Sequence, residues 1–241
     1  MLLGIFSALY KIFFYDYLAP HFKYKVTKIE RLLDILNIYL TPLDKTLHFH
    51  PGQFVYAKFH NAKVGAEPHP FSLSSSTHEK TLPLSVKILG DYTLRLPYLN
   101  EDDPVTLFGP YGTFGGHHHG KSLWIGGGIG ITPFLGMLLS EKENPSYTHI
   151  DLVYTYRNPE DGVFTPEIHQ SVKLSKHISF HPWCSSEKSH LNIETITQFS
   201  SLDYDSVFLC GPKPMMQTLA KQLIERGLNA NKIHFENFDL L

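Results

Sequence analysis

Cysteine is nearly absent: Cys184 and Cys210 are the only two among 241 residues. Two thiols cannot hold a four-thiolate iron–sulfur cluster or a structural zinc site. They make no disulfide framework either, which fits a reducing compartment. An excess of either charge is also lacking. With 21 Lys+Arg against 23 Asp+Glu the formal net charge is −2, and no basic run is long enough to follow a phosphate backbone, so a nucleic-acid partner is excluded. No internal repeat is found, and no Ser-His-Asp or paired-carboxylate pattern has a supporting context. His117, His118 and His119 are consecutive on an irregular stretch. Such side chains converge poorly on a metal without a ligand-spaced carboxylate or cysteine, so the stretch reads as a linker.

Long apolar runs are scarce as well. The richest, residues 2–18, is interrupted by Lys11 and Asp16, whereas a clean membrane span needs roughly 20 apolar residues. It lacks the basic start and small-residue cleavage site of a signal peptide. Lys23, Lys25, Lys28 and Arg31 follow it, as positive residues do on the cytoplasmic side of a membrane segment. The run is therefore either the inner end of a transmembrane helix or a buried or interfacial one. Nothing after it is long enough to cross.

What is present is a globular composition, 42% hydrophobic and 18% charged, in a chain long enough for two domains. From about residue 22 to 114, runs of four to eight apolar and β-branched residues are broken by Pro, Gly and Asp, which predicts a small antiparallel β-barrel. The alternation in residues 35–40 leans to strand, 54–59 and 84–89 are further strands, and 94–100 is either short helix or loop. From residue 122 the texture becomes strand and helix in alternation. Strands are expected near 122–125, 150–156, 178–181, 207–209 and 233–238. Helices are expected from Thr132-Pro133, as cap and first-turn proline, to about 139, and over 213–226 with Gly227 as the stop. That is a parallel doubly wound domain. The expected division is an N-terminal apolar stub over 1–20, a barrel over 21–116 and an α/β domain over 117–241.

Four stretches carry chemistry. His69-Pro70-Phe71-Ser72-Leu73-Ser74-Ser75 offers a flat aromatic, small hydroxyls and a stiffening proline. The set suits a planar, polar-edged ring with a phosphorylated tail, such as a flavin. Gly126-Gly127-Gly128-Ile129-Gly130 lies between a predicted strand and a predicted helix, where bare backbone and a helix N-terminus approach a pyrophosphate. It is neither a strict G-x-G-x-x-G nor a P-loop, and its bland alternative is a tight turn. Arg157 directly follows the second parallel strand. There an acid favours NAD and an arginine takes a 2′-phosphate, although Glu160 and Asp161 are close and a solvated loop cation is the alternative; Lys188 is a candidate helper. Cys210-Gly211-Pro212 sits at the carboxyl end of a strand, so Cys210 either faces the ligand crevice or is a small core residue.

Taken in order, these motifs resemble the flavin dehydrogenase part of the ferric reductase and NADPH oxidase family, within the ferredoxin–NADP reductase superfamily. The landmarks are His-Pro-Phe-Ser at 69–72, Lys-Ile-Leu-Gly-Asp-Tyr-Thr at 87–93, Gly-Pro-Tyr-Gly at 109–112, the glycine turn with Ile131, Thr132 and Pro133, Cys210-Gly211-Pro212, and a final aromatic, Phe238. The resemblance implies FAD in the barrel and NADPH, or NADH, on the α/β domain. It implies that Phe71 stacks on the isoalloxazine, Ser72 bonds its N5 edge and His69 lies near ring or phosphates. Lys87, Gly90, Tyr92 and Thr93 would hold the pyrophosphate side, while Ser72, Cys210 and Phe238 would line the hydride-transfer centre, with Phe238 as a lid. It implies electrons leaving for a haem-bearing membrane domain, for oxygen or ferric iron, at the cytoplasmic face of a membrane. The paired haem histidines of that membrane part are missing from this sequence. A soluble ferredoxin- or flavodoxin-type NADP reductase and a non-catalytic flavin-binding module are the alternatives.

Overall fold

A computed structural model describes residues 21–75, 81–115 and 119–236. In β3 (Phe54–Phe59), Val55, Ala57 and Phe59 are wholly buried while Phe54, Tyr56 and Lys58 are half-buried. This two-residue period is that of a strand with one face on a core. The other strands of the first half are β1 (His21–Leu32), β2 (Ile35–Pro42), β4 (His69–Ser72), β5 (Leu82–Lys87) and β6 (Pro104–Tyr111). All pair antiparallel, in the order β4-β3-β6-β1-β2-β5. The sheet curls around Val26, Ile38, Leu40, Val55, Leu84 and Leu107, and its two end strands, β4 and β5, come to face each other. Ser74 Oγ donates across that seam to the Pro83 carbonyl at 3.2 Å. Residues 94–100, open between helix and loop in the sequence, lie largely in a 3-10 helix, Thr93–Tyr98, that follows β5.

The second half is a parallel sheet of β7 (Gly120–Gly127), β8 (Tyr147–Tyr156), β9 (Ile178–Cys184), β10 (Ser206–Cys210) and β11 (Ile233–Glu236), ordered β11-β10-β7-β8-β9. Alternation along β7 sends Trp124 to one face, against Phe134 and Phe208, and Leu123 and Ile125 to the other, against Val207 and Leu219. Helices cover both faces: α1 (Thr132–Glu143), α2 (Thr165–Val172), α3 (Ser185–Lys188), α4 (Ile193–Ile196) and α5 (Lys213–Glu225). The expected architecture, an antiparallel barrel-like sheet followed by a doubly wound α/β sheet, is the one observed.

Two local expectations need correction. Thr132 does not cap α1: its hydroxyl donates back to the Ile129 carbonyl at 3.0 Å, and Pro133 alone fulfils its first-turn role. α1 also runs on to Glu143 rather than stopping near 139. The two halves share packing, since Ile35 of β2 and Phe114 after β6 belong to the core beneath Trp124 and Phe134. Gly136 of α1 lies so close to the flavin-motif backbone that a Cβ would sit 2.7 Å from the Leu73 carbonyl oxygen. The apolar stretch at 2–18, the Gly116-His117-His118 part of the linker, and Phe238 lie outside the described residues. Among the described residues no helix is long and apolar enough to cross a membrane.

Candidate cofactor-binding site

In the parallel sheet β7 and β10 are neighbours, but the chain leaves them in opposite directions, to β8 and to β11. Such a reversal opens a crevice at the carboxyl ends of the strands. A cleft of about 1020 Å³ lies there, walled by Gly127, Gly128, Thr155, Arg157 and Pro212 on one side and by Asp34 and Lys87 of the barrel on the other. The glycine run does two jobs in it. Gly128 has φ +55°, lines the cleft, and has nothing within 4 Å of where a Cβ would be. Gly130 instead wedges two loops together, because a Cβ there would stand 2.5 Å from the Cys210 carbonyl oxygen. Ile131, Thr132 and Pro133 are buried, and they anchor α1 rather than face the cleft. Gly211 packs against Gly127.

Cys210 is wholly buried and does not line the cleft. Burial, with the nearby Glu236 carboxylate adding to it, pushes the thiol well above its ordinary pKa. Of the two readings of this residue, the structure places it with the small core cysteines, its thiol neutral. The register of β10 and β11 sets Cys210 opposite Glu236, which sequence reasoning missed. Burial raises the Glu236 carboxyl to about 7. Its only sequence signal is one acid closing the apolar Ile-His-Phe run, and the strand pairing that gives it meaning is not visible there.

At the far end of the cleft Arg157 is exposed, and its guanidinium has no hydrogen bond or ion pair among the described residues. Two acids near it have partners of their own, while Glu160 is exposed. Asp161 accepts from the Asn158 amide at 2.9 Å and from its side chain at 3.1 Å, and Asp34 pairs with Lys87 at 3.1 Å. Ser185, Ser186 and His190 complete this wall. Lys188 is drawn elsewhere, over the Trp183 ring at 5.2 Å and to the Pro182 carbonyl at 3.4 Å.

The seam between β4 and β5 gathers the other motif. His69 stacks on Tyr92 with ring centroids 3.5 Å apart and planes at 23°. Phe71 sits edge-on to Phe59 at 6.0 Å and is only 7% exposed; Pro70 is half-buried, and Ser72, Leu73, Ser74 and Ser75 are buried. Thr93 Oγ1 accepts from the Leu89 and Gly90 amides at 2.8 and 2.9 Å, which closes the Gly90-Asp91 turn. Lys87 is not with Tyr92 and Thr93, because it points into the cleft. Burial lowers the pKa of His69, Glu67 pulling it up and Arg95 down, and burial raises that of the Tyr92 hydroxyl.

Whether these residues fit a flavin nucleotide is decided by their unmet bonds. His69 Nε2, Ser75 Oγ and Tyr92 Oη are buried without a hydrogen-bond partner. Orphans of this kind are rare in folded proteins, each costing about 1–3 kcal/mol. Of the seven such side-chain atoms among the described residues, these three fall in the stretches predicted to hold a flavin, two of them on one aromatic stack, which fits a ligand with a flat ring and hydrogen-bonding edges. No group of three metal-ligating side chains is found among the described residues.

Residues 20–113 match the family described as an FAD-binding domain, and residues 124–221 the family described as an oxidoreductase NAD-binding domain. The gamma subunit of sulfhydrogenase 2 from Pyrococcus furiosus is 26% identical over 87% of this chain and 78% of its own length. The reductase component of propane 2-monooxygenase from Rhodococcus jostii is 27% identical over 89% of this chain, which spans 62% of that protein. Among solved structures, a ferredoxin NADP+ reductase from Neisseria gonorrhoeae with bound FAD and NADP superposes with a TM-score of 0.74 at 18% identity, over 91% of this chain and 99% of its own. The chain thus carries a stretch matching an FAD-binding domain family followed by one matching an oxidoreductase NAD-binding domain family, on an antiparallel and then a parallel sheet, the two-part fold it shares with that reductase structure.

Proposed function

We propose that the chain is a flavin-dependent NAD(P)H reductase that passes electrons from a nicotinamide donor to a separate acceptor protein. The observation that carries this is the cleft walled by both sheets, which opens Gly128 and Arg157 of one and Lys87 of the other to a common space. Hydride acceptance and single-electron release would be supplied by a flavin held there, so the chain itself needs no nucleophile. Its residues bind and orient. Gly128 leaves backbone room for a pyrophosphate, and Arg157 offers a fork to a 2′-phosphate, which favours NADPH over NADH. His69, Ser75 and Tyr92 would meet the flavin with their unmatched polar atoms, and Phe71 and Ser72 would hold its ring, the serine through its hydroxyl. Phe238 is the candidate lid, and Glu236, opposite Cys210, is the candidate proton holder.

A soluble carrier or an oxygenase component is the acceptor class that the reductase component among the relatives supports. A haem-bearing membrane domain, for oxygen or ferric iron, is the second reading, favoured by the apolar stretch at 2–18 and the Lys23, Lys25, Lys28 and Arg31 flank. The test is a visible spectrum of FAD-loaded protein before and after NADPH and NADH, followed by turnover with an artificial acceptor. Flavin that neither nucleotide bleaches would leave a binding module only. Removing residues 1–20 separates the acceptors: unchanged transfer to a small carrier supports the first reading, whereas loss of membrane recovery on truncation supports the second.

A further inference from the structure

We propose that Arg95, in the 3-10 helix after β5, is the cation that holds the diphosphate of the flavin nucleotide. The inference rests on the reading of the β4–β5 seam as the flavin groove, and it adds a residue that no sequence motif marks. A diphosphate in the seam needs a permanent positive charge, and the two residues expected to supply one do not. Lys87 is paired with Asp34 at 3.1 Å and opens to the nucleotide cleft. His69 lies flat on Tyr92 in a half-buried stack with Nε2 unpartnered, and burial favours its neutral form.

Arg95 meets the requirement. Its guanidinium carbon lies 5.7 Å from the Tyr92 ring centroid, on the ring that His69 covers. Gly65 lies alongside it, a Cβ there coming to ordinary contact at 3.4 Å from Nη1. One of its five N–H groups is used, Nε donating to the Asp91 carbonyl at 3.3 Å. The two terminal nitrogens have no partner among the described residues, so the fork that binds phosphate oxygens in pairs is available. The remaining charge on the stack is Glu67, whose carboxylate stands 3.9 Å from His69 Nε2 and is 80% exposed. It swings to water when a phosphate enters. Thus the stack has a fixed cation beside Tyr92 and a displaceable anion beside His69, with the unmatched His69 Nε2 and Tyr92 Oη on the stack itself.

The test is equilibrium binding of FAD to flavin-free protein, read by quenching of flavin fluorescence, for wild type, Arg95→Gln and Arg95→Lys. Gln keeps the stem against Tyr92 and removes the charge; Lys keeps the charge and removes the fork. The expected Kd for FAD rises about ten- to a hundredfold in Arg95→Gln, with partial recovery in Arg95→Lys. Riboflavin, which has no phosphate, binds the Gln variant as it binds wild type. FAD affinity stays level from about pH 6 to about pH 8, whereas a phosphate held by a charged His69 would be released across that range. An Arg95→Gln protein that binds FAD like wild type, or that loses riboflavin as heavily as FAD, overturns the assignment. Wild-type protein that takes up no FAD would instead overturn the reading of the seam, so the two failures are distinct.

Discussion

Replacing Arg157 by Ala should cost NADPH far more than NADH. The two donors differ only by the 2′-phosphate, so every contact they share cancels in the ratio. At 4 Å a bare charge pair in water is worth about 1 kcal/mol, and a charge-assisted hydrogen bond about 1.5–3 kcal/mol. Arg157 is exposed at the cleft wall, so the lower half of that range applies, roughly 1.5–2 kcal/mol, or about ten- to thirtyfold in kcat/KM. Asp34 is paired with Lys87 and Asp161 is held by Asn158, but Glu160 is exposed nearby, which keeps the expectation in that lower half. The assay is kcat/KM for both donors with ferricyanide as acceptor, at low and at physiological salt. The ratio of NADPH to NADH should fall in the variant, and the wild-type preference should shrink with salt while the variant's does not. Equal losses for both donors would refute the reasoning, since they would mean that Arg157 shapes the loop and does not read the phosphate.

Glu236 gives a pH-dependent outcome. Its folded pKa is raised to about 7 from an ordinary 4.5, so the folded chain keeps a proton that the unfolded chain loses, and stability falls as pH rises from about 4.5 through about 7. Glu236→Gln should therefore gain about 1–2 kcal/mol over wild type at pH 8, discounted for partial exposure, and close to nothing at pH 4, as denaturant midpoints will show. Tyr204→Phe should destabilise by roughly 1–3 kcal/mol, because Tyr204 donates at 2.8 Å to the buried Asp151 carboxylate. Burial alone would raise that carboxyl, but hydrogen bonds from His181 and Tyr204 hold it below its ordinary value. Its contribution is present above the unfolded pKa and lost as acid protonates it, so the variant's deficit should narrow at low pH. Gly130→Ala should lower the melting temperature even without nucleotide, since its Cβ meets backbone at 2.5 Å; unchanged melting would deny the wedge role.

Local pattern showed both sheets because burial repeats every second residue in β3 and runs unbroken through β10. The glycine turn was legible for the same reason, framed by a strand before and a helix after. What stayed hidden depends on register and on long-range neighbours. Lys87 sits in a motif with Tyr92, yet the pairing of Ile35 with Lys87 sets it beside Asp34 and the cleft. The stack of His69 on Tyr92 joins the start of edge strand β4 to the 3-10 helix that follows β5, and no spacing rule announces it. α2 escaped because only Ile168 and Val172 of its eight residues are buried, too few for a helical period to stand out.

The seam between β4 and β5 is where the six-stranded sheet stops without closing on itself. Whatever fills it acts as a keystone, tying two loose edges that the chain leaves with unmatched polar atoms. Occupancy then adds stability in proportion to the logarithm of ligand over Kd, about 2.7 kcal/mol at a hundredfold excess. A flavin seated there would make its supply set how much of the protein survives proteolysis.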